Sequence, residues 1–348
     1  SRPYDYARRG NPTRSIFADA LAGLEGGAGA VVTASGMGAV TTVLHALLRP
    51  GQVLLAPHDC YGGSWRLFDA LAARGHFDLV LADLTDPETA ERAVREHRPR
   101  VLWVETPSNP LLRISDLATL SALGHEVGAT VVADNTFCTP LGQRPLELGA
   151  DLVVHSATKY LAGHSDVVIG AVVCRTDEQV EDLAWWANCL GVTGGAFDSY
   201  LAQRGLRTLH ARMAIHERNA AAIVALLSGH AAVEAVHHPS LPSHPGHALA
   251  GQQQRLFGGI VTFELVGGEP AARAFIQGLT LFCPDESLGG TESLVSHPAT
   301  MTHASMPPHV QQAAGITPGM VRLSVGIEEV DDLLADLSAA LERAASLD

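Results

Sequence analysis

Over the first two hundred residues, short β-branched and aliphatic runs alternate with stretches whose apolar positions recur at helical spacing. GAVVT (29–33), QVLLAP (52–57), DLVLAD (78–83), RVLWVET (100–106), ATVVADN (129–135), DLVVHS (151–156) and VVIGAVVC (167–174) read as strands. Between them, MGAVTTVLHALL, GSWRLFDALAAR and DLATLSALGHEVG read as helices. Near-continuous apolar strands alternating with helices predict an α/β fold, a mostly parallel doubly wound sheet. Near Arg207 the pattern changes. TLHARMAIHERNAAAIVALLSG reads as one long helix, and a loop rich in proline and histidine, HHPSLPSHPGH, follows it. A smaller α+β unit then ends in the helix EVDDLLADLSAALERAASL. The opening SRPYDYARRGNPT has no periodicity; its two tyrosines and Gly-Asn-Pro turn signal suggest an arm lying on another surface. The expected organisation is an arm over 1–13, a large domain over 14–208 and a C-terminal domain over 209–348, with no internal repeat.

Composition narrows the class. A chain of 348 residues is too long for one small core, which agrees with two domains. Aromatics are only 5%, and mean hydropathy is +0.14. No run is long and uncharged enough to span a bilayer, and the opening residues do not read as a secretion leader. The chain opens on Ser1 rather than Met, so an upstream piece is compatible with the sequence. A net charge of −14 without a basic block argues against nucleic acid and anionic membrane as partners. The five cysteines are scattered without a CxxC, the usage of a reducing cytoplasm.

One residue then stands out. The chain carries 22 arginines and a single lysine, Lys159, in DLVVHSATKYLAGHSD. On a solvated face the two cations are nearly interchangeable. They differ where an amine must lose its proton and act as a nucleophile, which a guanidinium cannot do. Either one lysine survived by chance in an arginine-rich composition, or Lys159 forms a Schiff base. Its neighbours favour the second reading. Lys159 follows the expected strand DLVVHS, and Asp134 ends the expected strand ATVVAD one unit earlier, so both project at the carboxyl rim where doubly wound sheets bind ligands. A carboxylate beside a Schiff-base lysine suits pyridoxal 5′-phosphate (PLP), whose ring nitrogen needs an acidic partner. In TASGMGAV, Gly36 and Met37 open a helix whose N–H groups can take the phosphate, and Ser156 and Thr158 offer two hydroxyls. Tyr61 in HDCYGGS is a candidate to stack on the ring.

With these residues in hand, YDYARRGNPTR, TPSNPLLR, VVADNTF, HSATKYLAGHSD, DESLGGTESLVSHPATMTH and VRLSVGIE together resemble the PLP-dependent Cys/Met metabolism (trans-sulfuration) family, over essentially the whole chain. The resemblance implies a fold-type I PLP-dependent transferase, with Lys159 and Tyr61 in the catalytic group. It also implies that the arm of one subunit reaches the phosphate in its neighbour, which gives Tyr6 and Arg8 to the partner's site and makes a homotetramer of two such dimers the expected assembly. Asn109 and Arg322 match positions that hold the substrate α-carboxylate, and Glu286 and Ser287 match the loop over the substrate amino group and side chain. CPDESLGG departs from the family's commoner lead-in at Cys283 to Asp285. Members also usually carry an extra segment before the tyrosine arm. The stretch AWWANCLGVTGGAFDSYLAQRGLRTL resembles the γ-replacing branch. The implied reaction is O-succinyl-L-homoserine with L-cysteine to L-cystathionine and succinate, in methionine biosynthesis in the cytoplasm. A γ-lyase acting on cystathionine or a user of the acetyl ester is the alternative. A succinyl ester has a distal carboxylate that needs a cation, for which Arg66 is placed after Tyr61 and Arg9 could arrive from the partner's arm.

Other readings are weaker. A nicotinamide enzyme needs a correctly placed GxGxxG turn, and GGAGAVVTASG is mis-spaced. A non-catalytic binding protein would have no use for the sole lysine. No metal is expected at His237, His238, His244 and His247, because their loop shows no nearby cysteine or carboxylate. Cys60 reads as an ordinary thiol. His297 and His303 read as residues that shape the pocket rather than bases.

Overall fold

The computed structural model describes residues 4–304 and 306–346. Residues 1–3 of the expected arm and 347–348 of the expected C-terminal domain lie outside the described residues. The chain forms two compact units, Ser1–Thr106 with Ser115–Thr208, and Pro107–Ile114 with Leu209–Asp348. Segment 107–114, which the sequence reading left inside the first domain, clusters with the second.

The first unit is built on seven strands: β1 (Gly29–Thr33), β2 (Val53–Pro57), β3 (Asp78–Ala82), β4 (Val101–Glu105), β5 (Thr130–Asp134), β6 (Leu152–His155) and β7 (Gly170–Cys174). Their order in the sheet is β1-β7-β6-β5-β4-β2-β3. The period-two alternation of side chains sends Leu54, Trp103, Val132 and Val154 into one buried cluster and Leu55, Leu102, Val104, Val131 and Ala133 into another. Both faces are thus covered, which is why these strands read as continuous apolar runs.

The strands β2 to β6 pair in parallel, but β7 runs antiparallel to both neighbours, β6 and β1. A parallel neighbour needs a crossover of a dozen or more residues, usually helical. Residues 156–169 between β6 and β7 contain no helix, so the chain turns back beside the strand it left. That connection carries Lys159.

The opening arm gives way to helix earlier than its missing periodicity suggests. The first helix runs Pro12–Glu25, with Asn11 Oδ1 accepting from Arg14 N–H and proline at the first position. The Gly-Asn-Pro signal is therefore a helix start as well as a turn.

The second unit has a five-stranded sheet of order β10-β11-β12-β9-β8, from β8 (Val233–His237), β9 (Ile260–Leu265), β10 (Cys283–Pro284), β11 (Leu294–Ser296) and β12 (Met320–Ser324). Only β10 and β11 pair in parallel. Helices Leu209–Ser228, Gly268–Gly278 and Val330–Ala345 close its core around Phe263, Phe275, Val321, Leu333 and Leu337. His237 ends β8, and its Nε2 lies 2.8 Å from Glu264 Oε1 of β9. The histidine-rich stretch thus has a carboxylate neighbour that strand pairing supplies and sequence proximity hides. Among the described residues, no group of three or more His, Cys, Asp or Glu is placed to hold a metal ion.

Two buried histidines of this unit make a measurable demand. Burial, the largest cause, pushes His216 and His238 from the usual 6.5 to about 4. His216 keeps its Nδ1–H on Val325 O at 2.7 Å, as a neutral ring can. Below pH 6.5 the unfolded chain binds protons that the folded chain refuses, so stability is intact above that pH and falls as pH drops towards 4. Each histidine should contribute a slope of roughly 1.4 kcal/mol per pH unit in that window. Denaturant midpoints from pH 7 to 4.5 should fall, and His238→Gln should flatten the fall; an unchanged slope in the variant contradicts this.

Candidate active site

The carboxyl rim of the first sheet collects the sequence-nominated residues along a chain of contacts. Tyr61 N–H, at the end of the loop after β2, donates to Glu105 Oε2 at 2.8 Å. Glu105 ends β4 and pairs in register with Asp134, the last residue of β5. Thr136 N–H donates to Asp134 Oδ1 at 3.0 Å, and the Thr136 hydroxyl also bonds that carboxylate. The same hydroxyl accepts from Ser156 N–H at 2.9 Å. Lys159 N–H donates to Ser156 O at 3.1 Å, and Gly163 N–H to Lys159 O at 2.8 Å. Neither Glu105 nor Thr136 was nominated by the sequence. The signals were present: an acid closing RVLWVET, and a threonine two residues after Asp134, the spacing of an Asx turn.

The anion cradle rests on two glycines. Helix Gly36–Leu47 starts at the rim, capped by Ser35 Oγ accepting from Gly38 N–H, with Ser35 O accepting from Ala39 N–H. Among the described residues this leaves the N–H groups of Gly36 and Met37 at the positive end of the helix without an acceptor. A Cβ on Gly36 would lie 2.7 Å from Ser156 Cβ and 2.9 Å from Ser156 Oγ, so only glycine lets helix start and Ser156 meet. A Cβ on Gly170, the first residue of β7, would lie 2.1 Å from Ser35 O. Thr158 is drawn into the closure of the loop. Its N–H and hydroxyl both donate to Ile169 O at 3.0 Å, and Ile169 N–H donates to Thr158 Oγ1 at 3.0 Å. That hydroxyl proton closes the mouth of the lysine loop.

Burial raises the pKa of Asp134, while the Thr136 hydrogen bonds and the charge of His155 pull it back down. Cys60 is buried, and burial with Glu105 and Asp59 pushes its thiol far up, which makes it a poor nucleophile. Lys159 is half-buried and Tyr61 is 43% exposed. An anion cradle, a half-buried carboxylate and an amine on one rim fit a cofactor with a phosphate, a ring nitrogen and an aldehyde.

The second unit gathers the remaining candidates. Arg322 lies on β12, 1% exposed, and its Nη1 donates to Asn109 Oδ1 at 3.1 Å. Its Nη2 donates to the carbonyls of Glu286 and Ser287, each at 2.9 Å. Glu286 and Ser287 therefore orient the guanidinium through their backbone, and the Glu286 side chain is exposed. Thr262 Oγ1 donates to Pro110 O at 2.6 Å, tying segment 107–114 to this unit. Burial, then the Arg322 charge, lowers His303 to about 4, so it is neutral at pH 7 and no ready general base. His297 is engaged by Thr300 Oγ1 and Pro318 O, both at 2.8 Å.

The arm residues are not brought to the cradle within this chain. Arg8 Nη1 donates to the Asn188 carbonyl and side chain at 2.8 and 2.6 Å, with its guanidinium 5.1 Å from the Tyr6 ring centroid. Arg9 makes an exposed 3.8 Å ion pair with Asp5. Arg66 is exposed on helix Gly62–Ala73.

Comparison with known proteins decides the class. The family described as "Cys/Met metabolism PLP-dependent enzyme" matches residues 1–342. The chain belongs to this family. It is 56% identical to cystathionine γ-synthase of Escherichia coli over 97% of this chain and 87% of that protein. It is 44% identical to cystathionine γ-lyase of Dictyostelium discoideum over 98% of this chain and 87% of that protein. The structure of cystathionine γ-synthase from Xanthomonas oryzae pv. oryzae, in complex with cystathionine, superposes with a TM-score of 0.98 at 57% identity, covering 99% of this chain and 89% of that one. Pyridoxal phosphate is the cofactor of the family, and trans-sulfuration of small amino acids in methionine biosynthesis is its chemistry.

The packing behind the cradle is testable. Gly170→Ala forces a methyl against the Ser35 carbonyl, so either the helix cap or the start of β7 must shift. Overpacking of this kind costs about 1–3 kcal/mol. Thermal unfolding should fall accordingly, and dialysis should strip PLP faster than from wild type. A variant with wild-type stability and retention refutes the cradle geometry.

Proposed function

We propose that this protein is a cystathionine γ-synthase, joining O-succinyl-L-homoserine and L-cysteine into L-cystathionine with release of succinate. The observation that carries this reading is 56% identity to a γ-synthase across 97% of the chain, against 44% to a γ-lyase. Bound PLP supplies an electron sink for charge developing on substrate carbons. Lys159 Nζ would hold the cofactor until the substrate amine displaces it. The freed amine would take the Cα proton, hand it on, and then take a Cβ proton as succinate leaves Cγ with the electrons of its C–O bond. The cysteine thiolate would then bond to Cγ, and the two protons would return in turn. Arginine could not replace Lys159, because its charge does not come off.

The other residues bind and orient. Asp134 would hold the ring-nitrogen proton, and Tyr61 would lie against the ring and join Lys159 in the catalytic group. Gly36, Met37 and Ser156 would surround the phosphate, with Thr158 beside them able to turn its hydroxyl from Ile169 O to the anion. Arg322 takes the substrate α-carboxylate with Asn109, a planar anion suited to a guanidinium. Glu286 and Ser287 hold the loop over the substrate. Tyr6 and Arg8 serve the neighbouring subunit's phosphate, which makes a dimer the smallest active unit and a homotetramer the assembly. Five free cysteines suit the cytoplasm.

The distal carboxylate of the succinyl ester separates this reading from its alternatives. Arg66, with Arg9 of the partner's arm, is the proposed cation. A hydrogen bond to a charged group is worth about 1.5–3 kcal/mol, so Arg66→Met should lower kcat/KM for the succinyl ester by roughly ten- to a hundredfold. The acetyl ester should change far less. Purified enzyme assayed on each ester, with and without cysteine, should form cystathionine fastest from the succinyl ester. Faster turnover of the acetyl ester, or α-ketobutyrate from cystathionine as the main activity, would replace this proposal with its alternatives.

A further inference from the structure

Glu105 and Gly63 have no part in the chemistry above, yet both meet the candidate site through Tyr61. Tyr61 stands immediately before helix Gly62–Ala73, and no side chain caps that end. Its carbonyl accepts from Trp65 N–H at 2.9 Å, as the first bond of the helix. Its own N–H turns the other way and donates to Glu105 Oε2 at 2.8 Å. Glu105 is 6% exposed, and the positive end of a helix favours an acidic side chain. Because Glu105 closes β4 in register with Asp134 of β5, the bond fastens Tyr61 to the strand beside the one that carries the proposed ring-nitrogen partner.

The second contact concerns the ring. A Cβ on Gly63 would lie 2.5 Å from Tyr61 Cε1, 3.0 Å from Cζ and 3.2 Å from the hydroxyl oxygen. Gly63 lies inside the helix and has no positive φ, so the backbone itself does not require glycine there. Alanine would be the better helix former. What glycine provides is room for the far end of the Tyr61 ring.

We propose that Glu105 and Gly63 are positioning residues for Tyr61: the carboxyl group holds its backbone, and the missing side chain seats its ring where the cofactor ring binds. This rests on the stacking role given to Tyr61 above. The ring is 43% exposed and turns about two side-chain torsions. Fixing its backbone and giving the ring one place to lie removes that freedom before the cofactor arrives, so less ordering is left to oppose binding.

Holoenzyme variants test this through PLP affinity, the visible circular dichroism of the bound cofactor and the thermal midpoint. Gly63→Ala removes no hydrogen bond and crowds the ring. It should keep the wild-type thermal midpoint, yet weaken PLP binding by about three- to tenfold, the range an aromatic contact carries, and alter the dichroism. Glu105→Met fills the space without an acceptor and should weaken PLP similarly. Glu105→Gln keeps an acceptor and should stay close to wild type. Tyr61→Ala should weaken PLP at least as much, and adding either other change to it should cost nothing further, because both act through the same side chain. Full additivity, or wild-type affinity and dichroism in Gly63→Ala, overturns the inference alone. Wild-type affinity in Tyr61→Ala overturns the stacking role itself, and the inference with it. Should Glu105→Met not fold, Gly63→Ala decides, alone and in the Tyr61→Ala background.

Discussion

Three hydrogen bonds between Thr158 and Ile169 hold the mouth of the loop on which Lys159 rides. The loop has no helix to give it rigidity, so this clasp fixes where it leaves β6 and where it enters β7. Because the mouth is narrow, β7 must lie beside β6 and run against it. Its first residue, Gly170, then packs under the Ser35 carbonyl, which sets the start of the helix that opens with Gly36 and Met37. Lysine, anion cradle and sheet topology thus follow from one local closure.

Much of this was legible in the sequence because it depends on periodicity. The inner strands of the first sheet read as apolar runs because both their faces are buried, while the edge strand β3 keeps an apolar run although it is partly exposed. The lysine and aspartate fall at strand ends where the fold class puts ligands. Strand direction was not legible. VVIGAVVC looks the same whichever way it runs, and only the missing crossover helix between 156 and 169 hinted at the reversal. The helix Pro12–Glu25 was masked because Asn11 and Pro12 signal a turn and a helix start equally well. The grouping of 107–114 with the second unit depends on Thr262 and Arg322, more than 150 residues away, and no local pattern carries such pairing.

The same limit explains the residues the sequence missed. Glu105 and Thr136 are placed by strand register and by a turn, which no local apolar pattern marks. Conversely, Glu286 and Ser287 were found by resemblance, yet their backbone carbonyls, which no side-chain motif encodes, are what meet Arg322. Composition gave the strongest single clue. A chain that otherwise uses only arginine has one amine side chain able to lose its proton, and it sits on the clasped loop.

That clue also gives the most direct measurement. Holoenzyme reduced with borohydride, digested and mapped by mass spectrometry should carry one pyridoxyl group per chain, on the peptide containing Lys159. An active enzyme whose Lys159 peptide stays unmodified, or whose adduct lies on the α-amino group instead, would contradict the account.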